Sequence, residues 1–173
     1  MSSRARDQKI LRGLIESDQL AVVIGSGVSK AVCPEAPMWR DLIASGLAVC
    51  ERVCQADKAW CEQVRSMMAL ESHPDMLLFA AESVEKELKK HDEKRFRDWL
   101  KDKFAALKPT CPEIIETIAS GNVPILTTNY DGLIEAVTRY GHVTWRDDYG
   151  SVEVVRGPDQ DRRVLHLHGF WLG

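Results

Sequence analysis

Apolar residues fall into two kinds of run along this chain of 173 residues. The first kind is short, nearly free of charge and ends in a small polar cluster. Leu20–Gly25 runs into Ser26, Gly27 and Ser29, Val123–Thr127 runs into Thr128, Asn129 and Asp131, and Arg163–His168 runs into Gly169. Near-continuous apolar runs of this length predict strands of a parallel sheet covered on both faces. The second kind repeats apolar positions at helical spacing. Ile10, Leu11, Leu14 and Ile15 make one stripe over Asp7–Ser17. Trp60, Val64, Met67 and Met68 make another, and Leu77, Leu78, Ala81, Val84 and Leu88 a third, with Asp75 as its expected cap. Phe96, Trp99, Leu100, Phe104 and Leu107 make the fourth.

Residues 39–107 therefore read as a helical insertion between the first two sheet strands, either a small layer over the sheet or a lid. Glu113–Ala119 is predicted as a short helix closed by Gly121-Asn122. Pro124 is tolerable at the start of the next strand. Leu133–Tyr140 continues as helix. Val143–Trp145 and Ser151–Val155 are short strand candidates, with a turn over Arg146–Gly150 and a loop over Gly157–Asp161. The recurring order of strand, polar loop and helix predicts an α/β domain over 1–173.

Composition changes this picture little. Hydrophobic residues make up 45% and charged residues 28%, ordinary for a soluble domain. The 23 basic and 26 acidic residues are interspersed, with a formal net charge of −3, which argues against nucleic-acid or membrane partners. No run predicts a secretion signal or a membrane span, so a cytoplasmic location is expected. Five cysteines with one close pair, Cys50 and Cys54, suit reduced thiols. Two soft ligands without a second pair make a poor zinc site, and no metal is expected.

The candidate chemistry lies at the three strand ends. Gly25, Ser26, Gly27 and Ser29 form a glycine-rich turn that suits phosphate, although the third glycine of the dinucleotide fingerprint is missing. Thr127, Asn129 and Asp131 follow the second strand, and His166, His168 and Gly169 the third. Parallel neighbours would bring these groups to one pocket beyond the carboxyl ends of the strands. Asn129 is then able to hold a water or a sugar hydroxyl, and a histidine to accept a proton. Each group also has a purely structural reading. Asn129 and Asp131 suit a self-satisfied turn and helix cap, and His168 a hydrogen-bonded structural histidine.

Four segments, GSGVS (Gly25–Ser29), PMWRDL (Pro37–Leu42), LTTNYDGL (Leu126–Leu133) and LHLHG (Leu165–Gly169), occur in an order that resembles the SIR2-like, or sirtuin-related, NAD-binding family. The likeness runs from about residue 20 onward and is closer to the NAD-hydrolysing, immune-defence branch than to the protein deacylases. It implies a three-layer Rossmann-like parallel sheet and NAD as substrate. On this resemblance Gly25, Ser26, Gly27 and Ser29 contact the phosphates and adjoining ribose, with Ser26 where alanine is usual. Thr127 borders the same cofactor-binding loop, Asn129 positions the nicotinamide ribose and the attacking water, and Asp131 lies beside it. His168 is the general base toward a ribose hydroxyl, and His166 is a secondary candidate.

The expected function is therefore an NAD glycohydrolase (NADase) that yields nicotinamide and ADP-ribose, as an effector domain of a longer defence or signalling protein. The rivals are a non-catalytic NAD or ADP-ribose sensor or oligomerisation module, an NAD-dependent deacylase, and a scaffold domain. The family continues beyond the histidine with strands that hold the adenosine half of NAD, whereas five residues follow His168 here. The domain is thus expected to be truncated. Its exposed sheet edge would be covered by the missing C-terminal part or by a second copy in a homo-oligomer.

Overall fold

The structure is a computed structural model that describes residues 3–70, 73–90, 92–147 and 162–171. In chain order the elements are α1 (Ser3–Glu16), β1 (Val22–Ile24), α2 (Ser26–Val32), α3 (Trp39–Arg52), α4 (Lys58–Ala69), α5 (Pro74–Lys89), α6 (Glu93–Phe104), α7 (Glu113–Ser120), β2 (Ile125–Thr127), α8 (Leu133–Thr138), β3 (Gly141–Thr144) and β4 (Arg163–His166). They group into two compact units, one within Met1–Ala36 and Leu107–Trp171, the other within Pro37–Ala106.

The first unit is an α/β arrangement of the general Rossmann-like kind, a small parallel sheet flanked by helices. The strand order is β1-β2-β4-β3, and every pairing is parallel. The register places Val22, Ile125 and Val164 in one row and Ile24, Thr127 and His166 in another. These rows share a face with Val32 of α2, Ile115 of α7 and Ile134 of α8, and the apolar members form one buried core. Burying each such Val or Ile side chain contributes roughly 1.5–3 kcal/mol. On the opposite face Val143 and Leu165 are buried and Leu126 is half-buried, but Val23 at the β1 edge is 61% exposed.

The strands are shorter than their apolar runs because a ladder extends only as far as its neighbour. β1 begins at Val22, whose N–H donates to the Pro124 carbonyl, and Pro124 itself stands outside β2. β4 stops at His166, two residues before the expected end, and β3 starts at Gly141, where it finds Arg163 opposite. The turn after α7 takes its left-handed residue from Asn122 (φ 54°), while Gly121 keeps an ordinary φ of −70°. α8 ends at Thr138, before the expected Tyr140, because Arg139 is left-handed at φ 64°. The predicted strand at Ser151–Val155 and loop at Gly157–Asp161 lie outside the described residues.

The second unit consists of α3–α6. Leu42, Ile43, Leu47 and Cys50 of α3, Cys61 and Val64 of α4, Val84 and Leu88 of α5, and Trp99, Leu100 and Phe104 of α6 are buried, as their spacing requires. Asp57 caps α4 by accepting from the Ala59 and Trp60 N–H groups, and Asp92 caps α6 by accepting from Lys94. α5 begins one residue before Asp75, with His73 as its N-cap and Asp75 in the first turn. At Gly46 the helices approach so closely that a Cβ would lie 2.6 Å from Val84 Cγ1 and 3.0 Å from Trp99 Cζ2. Among the described residues no helix is long and apolar enough to cross a membrane.

Candidate functional site

The row Ile24, Thr127 and His166 is the last that β1, β2 and β4 share, and from it three segments leave at the carboxyl edge of the sheet. Gly25 follows Ile24 directly. Asn129 lies two residues beyond Thr127, and His168 two residues beyond His166. Register alone therefore brings the glycine turn, the amide and the imidazole to one edge of the sheet.

Thr127 fixes the start of the middle segment. Its buried hydroxyl donates to the Ile24 carbonyl at 3.0 Å and accepts from the Asn129 N–H at 3.0 Å. The Asn129 side chain, 7% exposed, then reaches α2, where its Nδ2 donates to Ser29 Oγ at 2.8 Å. Ser29 Oγ donates in turn to Asp131 Oδ2 at 2.7 Å. Asp131 Oδ1 accepts from the Leu133 N–H at 3.1 Å, steadying the first turn of α8. With Asp131 ionised, this chain of donors sets the amide orientation. A hydroxyl has one proton, and here the carboxylate takes it, so Ser29 can only accept from Asn129. The NH₂ group must face Ser29, which leaves Oδ1 as the acceptor not used in this network.

Burial pushes the Asp131 carboxyl above its ordinary range, and nearby Glu135 pushes the same way. The Ser29 hydroxyl, the Leu133 N–H and His166 oppose that shift. The third segment is held differently. His166 has no exposed surface, its Nδ1 lies 2.9 Å from the Asn129 carbonyl oxygen, and its Nε2 lies 2.8 Å from Glu135 Oε1. Gly169, at φ +103°, turns the chain back, so that the Trp171 N–H donates to the Tyr130 carbonyl at 3.0 Å. Phe170 then packs over Gly132, where a Cβ would lie 3.3 Å from its ring.

The site residues expected from the sequence thus divide into two sets. Ser29, Thr127 and Asp131 are buried, and their side chains hold Asn129 and the loop around it. Gly25 and Ser26 are half-buried, and Gly27 and His168 are exposed. Gly25 is the N-cap of α2 with an extended backbone (φ −115°, ψ 178°), so it does not require a glycine for its conformation. A Cβ on Gly27 would meet nothing within 4 Å, and one on Gly25 only Thr128 Oγ1 at 3.9 Å. The protein's own packing does not demand either glycine, and the bare backbone there is open to a ligand.

Glu135 escaped the sequence reading. Its signal was a lone acid inside the apolar run Leu133, Ile134, Ala136 and Val137 of α8, a position that needs a buried partner. Among the described residues no group of three or more His, Cys, Asp or Glu side chains is arranged to hold a metal ion. The Cys50 thiol is pushed up to about 12, first by burial and then by Cys54 and Glu87 beside it, so it stays protonated. No family model matches the chain.

Proposed function

We propose that this chain is a sirtuin-related NAD glycohydrolase, with a three-layer Rossmann-like fold and NAD as substrate. The observation that carries the reading is the bridge Asn129–Ser29–Asp131. It ties the glycine-rich segment after β1 to the asparagine loop after β2 and leaves the amide oxygen of Asn129 as the spare acceptor. Open space at Gly25 and Gly27 supports close approach of a diphosphate to the backbone. The exposed imidazole of His168 follows β4, the next strand in the sheet.

In this reading Oδ1 of Asn129 accepts a hydrogen bond from the nicotinamide ribose or from the attacking water and so fixes its direction. The bond from C1′ to the nicotinamide nitrogen breaks with both electrons leaving on nicotinamide. Water oxygen then bonds to the oxocarbenium-like C1′, and the proton it gives up passes to the ribose oxygen that His168 has deprotonated, which yields ADP-ribose with one proton left on His168. His168 takes a proton from a ribose hydroxyl as charge develops on the sugar.

The test is incubation of the protein with NAD and chromatography of free nicotinamide and ADP-ribose. Both products are expected from the unaltered chain. Asn129→Ala is expected to lower the rate by roughly 10²–10³, the usual effect of removing one preorganised hydrogen-bonding group. Equal rates in the parent, Asn129→Ala and His168→Ala proteins would remove both residues from the mechanism. NAD binding without turnover would make the domain a sensor, and nicotinamide release only in the presence of an acylated peptide would make it a deacylase.

A further inference from the structure

We infer that His166 and Glu135 are positioning residues that hold the Asn129 loop from inside the protein, and that His166 is not a proton acceptor for substrate. The catalytic part of this inference rests on the hydrolase reading above. Both ring nitrogens of His166 are occupied by the protein. A carbonyl oxygen can only accept, so Nδ1, 2.9 Å from the Asn129 carbonyl, carries a proton. Nε2 faces Glu135 Oε1 at 2.8 Å, either as imidazolium with carboxylate or as neutral imidazole accepting from a protonated Glu135. No ring nitrogen is left over in either state. The ring has no exposed surface and lies against Phe170, with centroids 4.6 Å apart.

The pair is a poor choice if stability alone were served. Glu135 Oε2 is the one buried side-chain nitrogen or oxygen among the described residues without a hydrogen-bond partner. An orphaned buried acceptor is a cost that well-packed apolar residues would avoid. Geometry is what the pair supplies. Asn129 is held at three points, its N–H by Thr127 on β2, its Nδ2 by Ser29 on α2, and its carbonyl by His166 on β4. Glu135 on α8 orients the ring that makes the third contact. Without that contact the Asn129 carbonyl loses its donor, and the residue that carries Oδ1 keeps two of these three ties.

The experiment compares Glu135→Ala with Glu135→Gln in the whole chain. Glutamine can donate from its NH₂ to neutral Nε2 while Nδ1–H stays on the Asn129 carbonyl, so it keeps the geometry without the charge. The readouts are the Asn129 backbone and side-chain amide signals in ¹⁵N-resolved NMR, and kcat and KM for nicotinamide release from NAD. Glu135→Ala is expected to move the Asn129 signals and lower kcat by about 10- to 100-fold, the scale of a misplacement near 1 Å, with KM within about threefold. Glu135→Gln is expected to restore most of both. Unchanged Asn129 signals and kcat in Glu135→Ala would overturn the inference. If the parent protein releases no nicotinamide, the hydrolase reading falls and the NMR comparison alone decides the positioning role. If Glu135→Ala does not fold, His166→Asn, which retains a donor near the place of Nδ1, is compared with donorless His166→Leu. Equal displacement of the Asn129 signals in those two overturns the inference.

Discussion

Replacing Ser29 by alanine removes one oxygen and strands two partners. Ser29 is 4% exposed, and Asn129 and Asp131 on either side of it are 7% and 4% exposed, so water cannot readily substitute. Asn129 Nδ2 loses its acceptor and Asp131 Oδ2 loses its donor. Each unsatisfied buried group costs about 1–3 kcal/mol, so the pair costs roughly 2–6 kcal/mol. That is a large share of the 5–15 kcal/mol typical of a whole domain. The loss also depends on pH. Burial already raises the Asp131 carboxyl above its unfolded value near 3.9, and the Ser29 hydroxyl restrains that rise. A group whose folded value is raised contributes stability that is fully present below the unfolded value and is lost as pH climbs through the folded one. Without Ser29 the folded value moves higher still, so the loss extends over a wider window. The gap between Ser29→Ala and the parent should therefore widen from acid toward neutral pH. Urea denaturation followed by circular dichroism at pH 4 and pH 7.5 measures both effects. A difference under about 0.5 kcal/mol at neutral pH, or a larger one at pH 4, would refute the reasoning.

Two further predictions concern the helical unit. Gly46→Ala should destabilise by about 1–3 kcal/mol, because the added methyl would meet Val84 Cγ1 at 2.6 Å; an unchanged urea midpoint would show that the helices yield there. In native labelling with iodoacetamide, exposed Cys111 should react first. Cys50, buried and with its thiol pushed up to about 12, should stay unmodified until the protein unfolds, which peptide mass mapping would check.

The helices of 39–107 were legible because their signal is local. Each apolar stripe states its own period, and Trp99, Leu100 and Phe104 needed no distant partner to reveal their face. The strands were legible in kind and order but not in length. The end of β4 at His166 depends on β2, some forty positions away in the chain. Ser29, Asn129 and Asp131 were picked out by their place after apolar runs, yet their mutual bonding spans about a hundred residues and leaves no local trace. Ser29 and Thr127 were expected against a ligand, whereas their hydroxyls bond to the protein. His166 and His168 look alike two residues apart. Strand alternation stops at His166, so the first is sealed inside and the second emerges beyond the ladder.

β4 follows β3 in the chain but lies between β3 and β2 in the sheet. Among the described residues β3 pairs with β4 alone, so without β4 the sheet has a gap between β2 and β3. Docking of residues 163–166 closes the ladder and places the imidazole on the Asn129 carbonyl together. Closing the ladder and fixing the third tie on Asn129 are thus a single event.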